Sequence, residues 1–395
     1  AGLQPGDKIV SIDGQDAYEI TREDVYNTLR GPKGTAVLLT IRRPGQEETF
    51  NVEIIRDQIP IYSLISSFMI DDRTGYMRLT RFASSTSQEV LEAVKSLRAE
   101  GMTRLIFDLR TNSGGYLEQA VNVADLFITS PDTLVYTAGR KAEMSEVYVA
   151  SPKRGYGDFA VIVLINRWSA SASEIVAGAV QDLDRGLVMG ETSFGKGLVQ
   201  RQWPLKDGSA LRVTIARYYT PSGRLIQRPY DNGTRDYYED LGKEDREELL
   251  DSLRIDKPKY KTKRGREVHG GGGISPDVYV PLSEHTATTT RLVGHPKRLT
   301  FNWGTDYAKG RKADWKDLVE FNRDFQITAE LTENFLTYAK NQNVDFDKKD
   351  FDKDISYLRS VLKAEVAGAI WGKSAYYQMF VSGDPQVTAA LSHFD

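Results

Sequence analysis

The pattern of apolar and polar positions divides the chain into three stretches. Residues 1–57 alternate turns with short β-rich runs, which predicts a small β-rich module with one helix. Asp13-Gly14 closes the first run, and Gly31-Pro32 ends the helix that begins at Thr21. The predicted elements are strands at 8–12, 37–41 and 49–55 and a helix at 21–30.

The second stretch, residues 58–285, predicts an α/β layered domain. Continuous apolar runs at 104–110 and 159–166 are typical of strands buried on both faces, and each leads into a segment with helical spacing. A charged stretch at about 231–268 interrupts this alternation. Runs of charge usually cover a solvated face, so we expect a surface insertion there.

The third stretch, residues 286–395, is predicted to be helical. Apolar residues recur at three- and four-residue spacing, as at Leu358, Val361 and Leu362. The stretch contains no catalytic pattern, so an interaction or stabilising domain is the default interpretation.

Composition excludes several classes of site. The chain has 395 residues, 52 basic and 55 acidic side chains, and a formal net charge of −3, which argues against a nucleic-acid partner. The sequence has no cysteine and four histidines, so we expect no thiol nucleophile, no disulfide, and neither a thiolate nor a histidine-rich metal site. No metal or cofactor is expected. No apolar run approaches the roughly 18 residues that span a membrane.

The apolar strand at 159–166 leads through three alternating serines, Ser169, Ser171 and Ser173, into a predicted helix. Unsatisfied N–H groups and the positive end of the helix dipole converge at such a helix start. A serine there could act as a nucleophile, because these groups would stabilise the oxyanion that forms in the transition state. The alternative is that the serines only cap the helix.

A second segment has the same form. The strand at 104–110 leads through Thr111-Asn112-Ser113-Gly114-Gly115 into a predicted helix. Paired glycines bring backbone N–H groups close to a ligand, so they could donate to an oxyanion. The alternative is a tight turn.

A third segment, GETSFGKGLVQ at 190–200, nearly matches a phosphate-binding loop. Gly197 stands where the magnesium-binding Ser/Thr belongs, and the following residues look extended rather than helical. Lys196 could instead be a buried base, because desolvation lowers the pKa of a lysine. With so few histidines, a Ser/Lys pair fits better than a Ser/His/Asp triad.

These segments together identify a family resemblance. SASASE, GETSFGKGLVQ and DLRTNSGG, with GYMRL at 75–79, LRVTIARYYTPSGR at 211–224 and GISPD at 273–277, resemble the carboxy-terminal processing (tail-specific) serine peptidases. The resemblance covers residues 1–285. It implies a crotonase-like (ClpP-like) α/β protease core at 58–285 after a partial PDZ domain at 1–57. The helical C-terminal domain at 286–395 is predicted from its spacing alone.

The resemblance also implies the site residues. Ser171 is the nucleophile, Lys196, 25 residues later, is the general base, and Gln200 orients the lysine. The oxyanion donors are the backbone N–H groups of Ala172 and Gly115. Ser113 departs from the glycine or proline that members often carry, but the glycine pair remains.

The implied function is that of a serine endopeptidase acting near the C-termini of proteins or peptides with apolar ends. The resemblance also allows a second copy of the chain or an adaptor protein as partner, and implies an exported, periplasmic or cell-envelope location. Two alternatives stay open: a non-catalytic PDZ-type peptide-binding scaffold, and a nucleotide-binding protein.

The N-terminal module carries one further expectation. The chain begins within the turn AGLQPGD, whereas the family's carboxylate-binding loop and edge strand precede that turn. A PDZ domain binds a peptide C-terminus between such a strand and a helix. We therefore expect an incomplete peptide groove on residues 1–57.

Overall fold

The computed structural model describes residues 2–4, 6–18, 20–43, 46–59, 62–151, 156–229, 233–243 and 245–394. Ala1 and Pro5 of the predicted N-terminal turn lie outside these residues. The chain forms two compact units, one from Ala1–Ile61 with Glu284–Gly383 and one from Tyr62–Ser283 with Asp384–Asp395.

The N-terminal module is an antiparallel sheet with one helix, as the alternation predicts. Its elements are β1 (Lys8–Ile12), β2 (Gln15–Asp16), α1 (Arg22–Leu29), β3 (Ala36–Arg42) and β4 (Phe50–Ile55), and the strand order is β2-β1-β3-β4. Thr21 caps α1, because its side chain accepts the N–H of Asp24. Alternate residues of β3 enter the core of this module, which contains Ile12, Val37, Leu39 and Ile41.

The second unit combines helices with two larger sheets. Its first half contains β5 (Leu64–Met69), β6 (Thr74–Leu79), α2 (Thr86–Ala99), β7 (Arg104–Asp108), α3 (Leu117–Phe127), β8 (Thr133–Gly139) and β9 (Glu146–Val149). Its second half contains β10 (Ala160–Ile165), α4 (Ala172–Asp182), β11 (Leu187–Gly190), β12 (Leu198–Pro204), β13 (Ala210–Tyr219), α5 (Gly233–Glu239), α6 (Arg246–Ser252), β14 (Lys259–Lys261), β15 (Glu267–His269) and β16 (Val278–Tyr279).

The six-stranded sheet has the order β16-β11-β10-β7-β6-β5, and all neighbours are parallel except β5 and β6. The antiparallel four-stranded sheet has the order β12-β13-β8-β9, and β14 pairs with β15. The apolar runs predicted as buried strands are β7 and β10. Because these two are parallel neighbours, the loops after them leave the same edge of the sheet.

The charged stretch at about 231–268 is not simply a solvated insertion, so that expectation is wrong for part of it. Leu241 and Arg246 are fully buried. The Arg246 guanidinium donates to the carbonyl oxygens of Thr192 (2.9 Å) and Ser193 (2.8 Å). These two residues precede Lys196, so the charged stretch packs against that segment.

The C-terminal stretch is helical, as its spacing predicts. It contains α7 (Ala287–Val293), α8 (Leu299–Ala308), α9 (Leu318–Asp324), α10 (Ala329–Asn341), α11 (Lys348–Lys353), α12 (Ile355–Trp371), α13 (Lys373–Ser382) and α14 (Pro385–Ser392). Leu358 and Leu362 of α12 are buried in one apolar core with Trp303, Phe321 and Phe335. Among the described residues, no helix is both long and apolar enough to cross a membrane.

Candidate active site

Ser171 lies at the turn between β10 and α4. It is the N-cap residue of α4 and has a φ of 56°, in the left-handed region that residues other than glycine rarely adopt. A strained strand-to-helix turn of this kind is known to present a nucleophilic serine at the edge of a sheet. The positive φ of Ser171 therefore distinguishes this turn from an ordinary helix N-cap, which has extended backbone angles.

The two neighbouring serines have structural contacts. The hydroxyl of Ser169 donates to the carbonyl oxygen of Leu109 (2.8 Å), and that of Ser173 donates to the carbonyl oxygen of Asn112 (2.8 Å). Both serines are fully buried, whereas Ser171 is partly exposed. Ser169 and Ser173 therefore tie the loop after β7 to the start of α4.

Gly114 and Gly115 lie beside this turn. A Cβ atom on Gly114 would stand 2.8 Å from Ser171 Cβ and 2.9 Å from the nitrogen of Ala172, and a Cβ atom on Gly115 would stand 2.0 Å from the carbonyl oxygen of Phe82. The N–H of Gly114 donates to Asn112 Oδ1 (2.9 Å). Within the described part of the chain, the N–H groups of Gly115 and Ala172 make no hydrogen bond. Both can therefore donate to a ligand.

The Glu174 carboxylate joins the serine turn to the segment that carries Lys196. Glu174 is fully buried and accepts the backbone N–H groups of Ser171 (2.7 Å), Gly195 (2.7 Å) and Lys196 (2.9 Å), together with the hydroxyl of Ser193. Burial raises the pKa of Glu174, while these hydrogen bonds act in the opposite direction. One carboxylate thus positions the backbone of both segments.

The Tyr218 hydroxyl makes the complementary contacts with the same two residues. It lies 2.6 Å from the carbonyl oxygen of Lys196 and 3.1 Å from that of Ser171. Tyr218 is almost completely buried in β13. Glu174 therefore binds the N–H groups of Ser171 and Lys196, and Tyr218 contacts their carbonyl oxygens.

Lys196 is half-buried, and its pKa is lowered. Burial is the largest cause, the positive charge of Arg212 adds to it, and the negative charge of Glu174 opposes both. A lowered pKa increases the neutral fraction of the amine, as a general base requires. Among the described residues, the Lys196 amine makes no hydrogen bond with Ser171 Oγ, and Gln200, exposed on β12, makes none with Lys196. The Ser171–Lys196 pair and the role of Gln200 stay predictions.

The structure does not favour a phosphate-binding loop at Lys196. The residues after it form strand β12, as expected, whereas a phosphate-binding loop must open a helix. No group of three or more His, Asp or Glu residues that could hold a metal ion occurs among the residues described.

Sequence reasoning assigned no role to Glu174, Tyr218 or Arg246. Glu174 does carry a local signal, because Ser171-Ala172-Ser173-Glu174 has the spacing of a capping box. Tyr218 lies in the segment LRVTIARYYTPSGR, which carries part of the resemblance, but nothing in that segment indicates its contacts. Arg246 carries no signal. The partners of both residues come from distant segments of the chain.

Three family models match the chain. Residues 73–236 match peptidase family S41, residues 1–43 match a PDZ domain, and residues 297–372 match a family of unknown function (DUF8443). Among curated proteins, the chain is 37% identical over 224 residues to a carboxyl-terminal-processing protease of Picosynechococcus, covering 56% of this chain and 53% of that protein. It is 40% identical over 233 residues to a carboxy-terminal-processing protease of Bartonella bacilliformis, covering 58% and 52%.

The chain thus spans about half the length of the curated relatives it matches. Among solved structures, it is similar to a photosystem II D1 C-terminal processing protease, with 29% identity, a TM-score of 0.39, and coverage of 71% of this chain and 64% of the other. The α/β protease fold, the N-terminal PDZ match and the C-terminal helical region agree with the expectation from the sequence. The family resemblance is confirmed by these matches: residues 73–236 match peptidase family S41, residues 1–43 match a PDZ domain, and the curated relatives are carboxy-terminal-processing proteases.

Proposed function

We propose that this chain is a serine endopeptidase that cleaves proteins or peptides near their C-termini. Ser171 is the nucleophile, Lys196 is the general base, and Gln200 orients the lysine. The backbone N–H groups of Ala172 and Gly115 form the oxyanion hole. The names of the curated relatives support C-terminal processing as the reaction class.

One observation carries the proposal. Ser171 has a left-handed φ of 56° at the start of α4, directly beside Gly114 and joined through Glu174 to the backbone of Lys196. A helix cap alone explains neither the strained backbone nor the buried carboxylate that binds both segments.

The chemistry follows from these groups. The neutral Lys196 amine accepts the Ser171 hydroxyl proton while Oγ attacks the carbonyl carbon of the scissile peptide bond. The two N–H groups stabilise the negative charge that develops on the carbonyl oxygen. The lysine ammonium then returns its proton to the leaving amine, and water hydrolyses the acyl-enzyme by the same steps with Lys196 again as base.

The substrate class and the location are part of the same proposal. Substrates are polypeptides with apolar C-termini. The PDZ match at residues 1–43 supports recognition of a peptide C-terminus, and because the groove on residues 1–57 is expected to be incomplete, we expect these residues to bind such peptides weakly. The reaction takes place outside the cytoplasm, in the periplasm or cell envelope.

Peptide hydrolysis and labelling by a fluorophosphonate serine probe test the proposal together. Wild-type protein should hydrolyse members of a peptide library and bind the probe at Ser171. Ser171→Ala should abolish both while the protein stays folded, because loss of a cap costs only about 1 kcal/mol. Lys196→Arg should also fail, because a guanidinium cannot act as the base.

The neighbouring serines provide the matched controls. Ser169→Ala and Ser173→Ala should keep measurable turnover, because their hydroxyls contact backbone carbonyls. Full hydrolysis by Ser171→Ala, or the absence of Ser171 labelling in folded wild-type protein, would contradict the proposal and favour a peptide-binding scaffold.

A further inference from the structure

The last helix of the chain belongs to the same compact unit as the protease fold. Residues Asp384–Asp395 cluster with Tyr62–Ser283, and α14 contacts β11 of the six-stranded sheet. Val387 and Ala390 of α14 are buried, and the guanidinium of Arg104 at the start of β7 lies 5.5 Å from the ring centroid of Phe394. The helix is therefore packed against the protease sheet.

The N-terminal end of α14 contacts Arg110, which is almost fully buried directly after β7. The Arg110 guanidinium lies 2.8 Å from Asp384 Oδ2 and donates to Gln386 Oε1 at 2.8 Å. The Gln386 side-chain amide donates in turn to the carbonyl oxygen of Val280, beside β16 (2.6 Å). Asp384 is also the N-cap residue of α14.

Arg110 also makes a bidentate contact with Asp108. Its Nε and Nη2 atoms donate to the two carboxylate oxygens at 2.9 and 2.7 Å. The guanidinium of Arg78 lies 3.6 Å from the same carboxylate. Two arginines thus face two carboxylates, Asp108 and Asp384, and the buried cluster is electrically balanced only while Asp384 takes part.

The segment after Arg110 is the loop that carries the proposed oxyanion donor. Thr111 (φ 62°), Gly114 (φ 96°) and Gly115 (φ 154°) all have positive φ. The far end of the loop is bound to Phe82. The N–H of Phe82 donates to the carbonyl oxygen of Gly114, and the carbonyl oxygen of Phe82 accepts the N–H of Tyr116. Arg110 anchors the near end. A loop with this backbone keeps its conformation only if both ends are restrained.

We propose that α14 positions the oxyanion loop, with Asp384 and Gln386 acting through Arg110 as positioning residues for catalysis. This inference rests on the proposed function, because the loop matters for rate only if Gly115 stabilises an oxyanion. Asp384 and Gln386 touch no reacting atom. They hold the side chain of Arg110, the residue at which the loop begins.

Two substitutions test the inference. Asp384→Asn removes the charge that faces Arg110 but keeps a side chain able to cap α14. Gln386→Leu removes both hydrogen bonds at similar volume. Thr388→Ala, at an exposed position of the same helix, is the matched control. All variants are made in the full chain, and thermal unfolding confirms that they are folded.

We expect kcat for peptide hydrolysis to fall about tenfold in Asp384→Asn and Gln386→Leu, with KM changed less than twofold, because a misplaced donor weakens transition-state binding selectively. Labelling by the fluorophosphonate probe should slow in parallel. The pH profile should keep its midpoint, because the surroundings of Lys196 are unchanged. The control should match wild type in every measurement.

A readout independent of catalysis separates this inference from the proposed function. Amide hydrogen exchange over residues 109–117 should be at least about fivefold faster in the two variants and unchanged in the control. Wild-type exchange and kcat in both folded variants would overturn the inference. Failure of wild-type protein to react at Ser171 would instead overturn the proposed function, while faster exchange would still establish the contact between α14 and the loop.

Discussion

Gly114→Ala is the sharpest test of the contact between the glycine loop and the serine turn. The added Cβ would lie 2.7 Å from the carbonyl oxygen of Ala170, 2.8 Å from Ser171 Cβ and 2.9 Å from the nitrogen of Ala172. Non-bonded carbon atoms prefer separations of roughly 3.5–4.0 Å, so the two segments must move apart by several tenths of an ångström.

The expected cost has two parts. Alanine at the φ of 96° found at Gly114 costs about 1–2 kcal/mol, and the forced contacts with backbone atoms add about 1–3 kcal/mol. The displacement acts on Ser171, the proposed nucleophile, and on the N–H of Ala172, a proposed oxyanion donor. Because misplacement by about 1 Å can cost about a hundredfold in rate, we expect a displacement of several tenths of an ångström to lower hydrolysis by about tenfold or more.

Gly101→Ala separates the two costs. Gly101 has a similar φ of 104°, but a Cβ atom there meets only the carbonyl oxygen of Asp72, at 3.5 Å. Urea unfolding should show a loss of about 1–2 kcal/mol for Gly101→Ala and a larger loss for Gly114→Ala, and only the latter should lose hydrolysis and probe labelling. If the two folded variants hydrolyse peptide within twofold of each other, Gly114 does not constrain the nucleophile.

Two further predictions concern the segment that carries Lys196. Activity should rise with pH through the lowered pKa of Lys196. Arg212→Gln removes a positive charge near Lys196, so it should raise that pKa and move the activity profile to higher pH. Arg201→Gln, on the same hairpin, is the control and should leave the midpoint of the profile in place. An unmoved midpoint in Arg212→Gln would refute this electrostatic effect. Glu174→Gln should reduce kcat by tenfold or more, because an amide cannot accept all four donors, and the exposed Glu118→Gln at the start of α3 is the control. Wild-type kcat in Glu174→Gln would show that the buried carboxylate does not position the lysine segment.

The sequence predicted much of the local structure because local structure depends on neighbouring residues. The buried runs became β7 and β10, and the segments after them lead into α3 and α4. Both segments come together because the two strands are parallel neighbours, and strand order cannot be obtained from periodicity alone. The association of these two segments in one site was expected only from the motifs that carry the family resemblance.

What the sequence did not predict depends on contacts between distant residues. Arg246 lies in a run of charges that is typical of a solvated face, yet it is fully buried. Its guanidinium donates hydrogen bonds to carbonyl oxygens more than fifty residues away in the chain. Similarly, α14 has the same helical spacing as the preceding helices, and only its tertiary contacts, among them those of Asp384 and Gln386, show that it joins the six-stranded sheet.

The contacts of Glu174 and Tyr218 have a consequence for protein engineering. A design that copied the proposed catalytic pair could transfer only the side chains of Ser171 and Lys196. Here the two residues share one carboxylate and one phenol through their own peptide groups. If the proposed pair is correct, the smallest transplantable part is the backbone from the end of β10 to Lys196 together with Tyr218 of β13. Grafting the two side chains alone would leave out the hydrogen bonds that position their peptide groups.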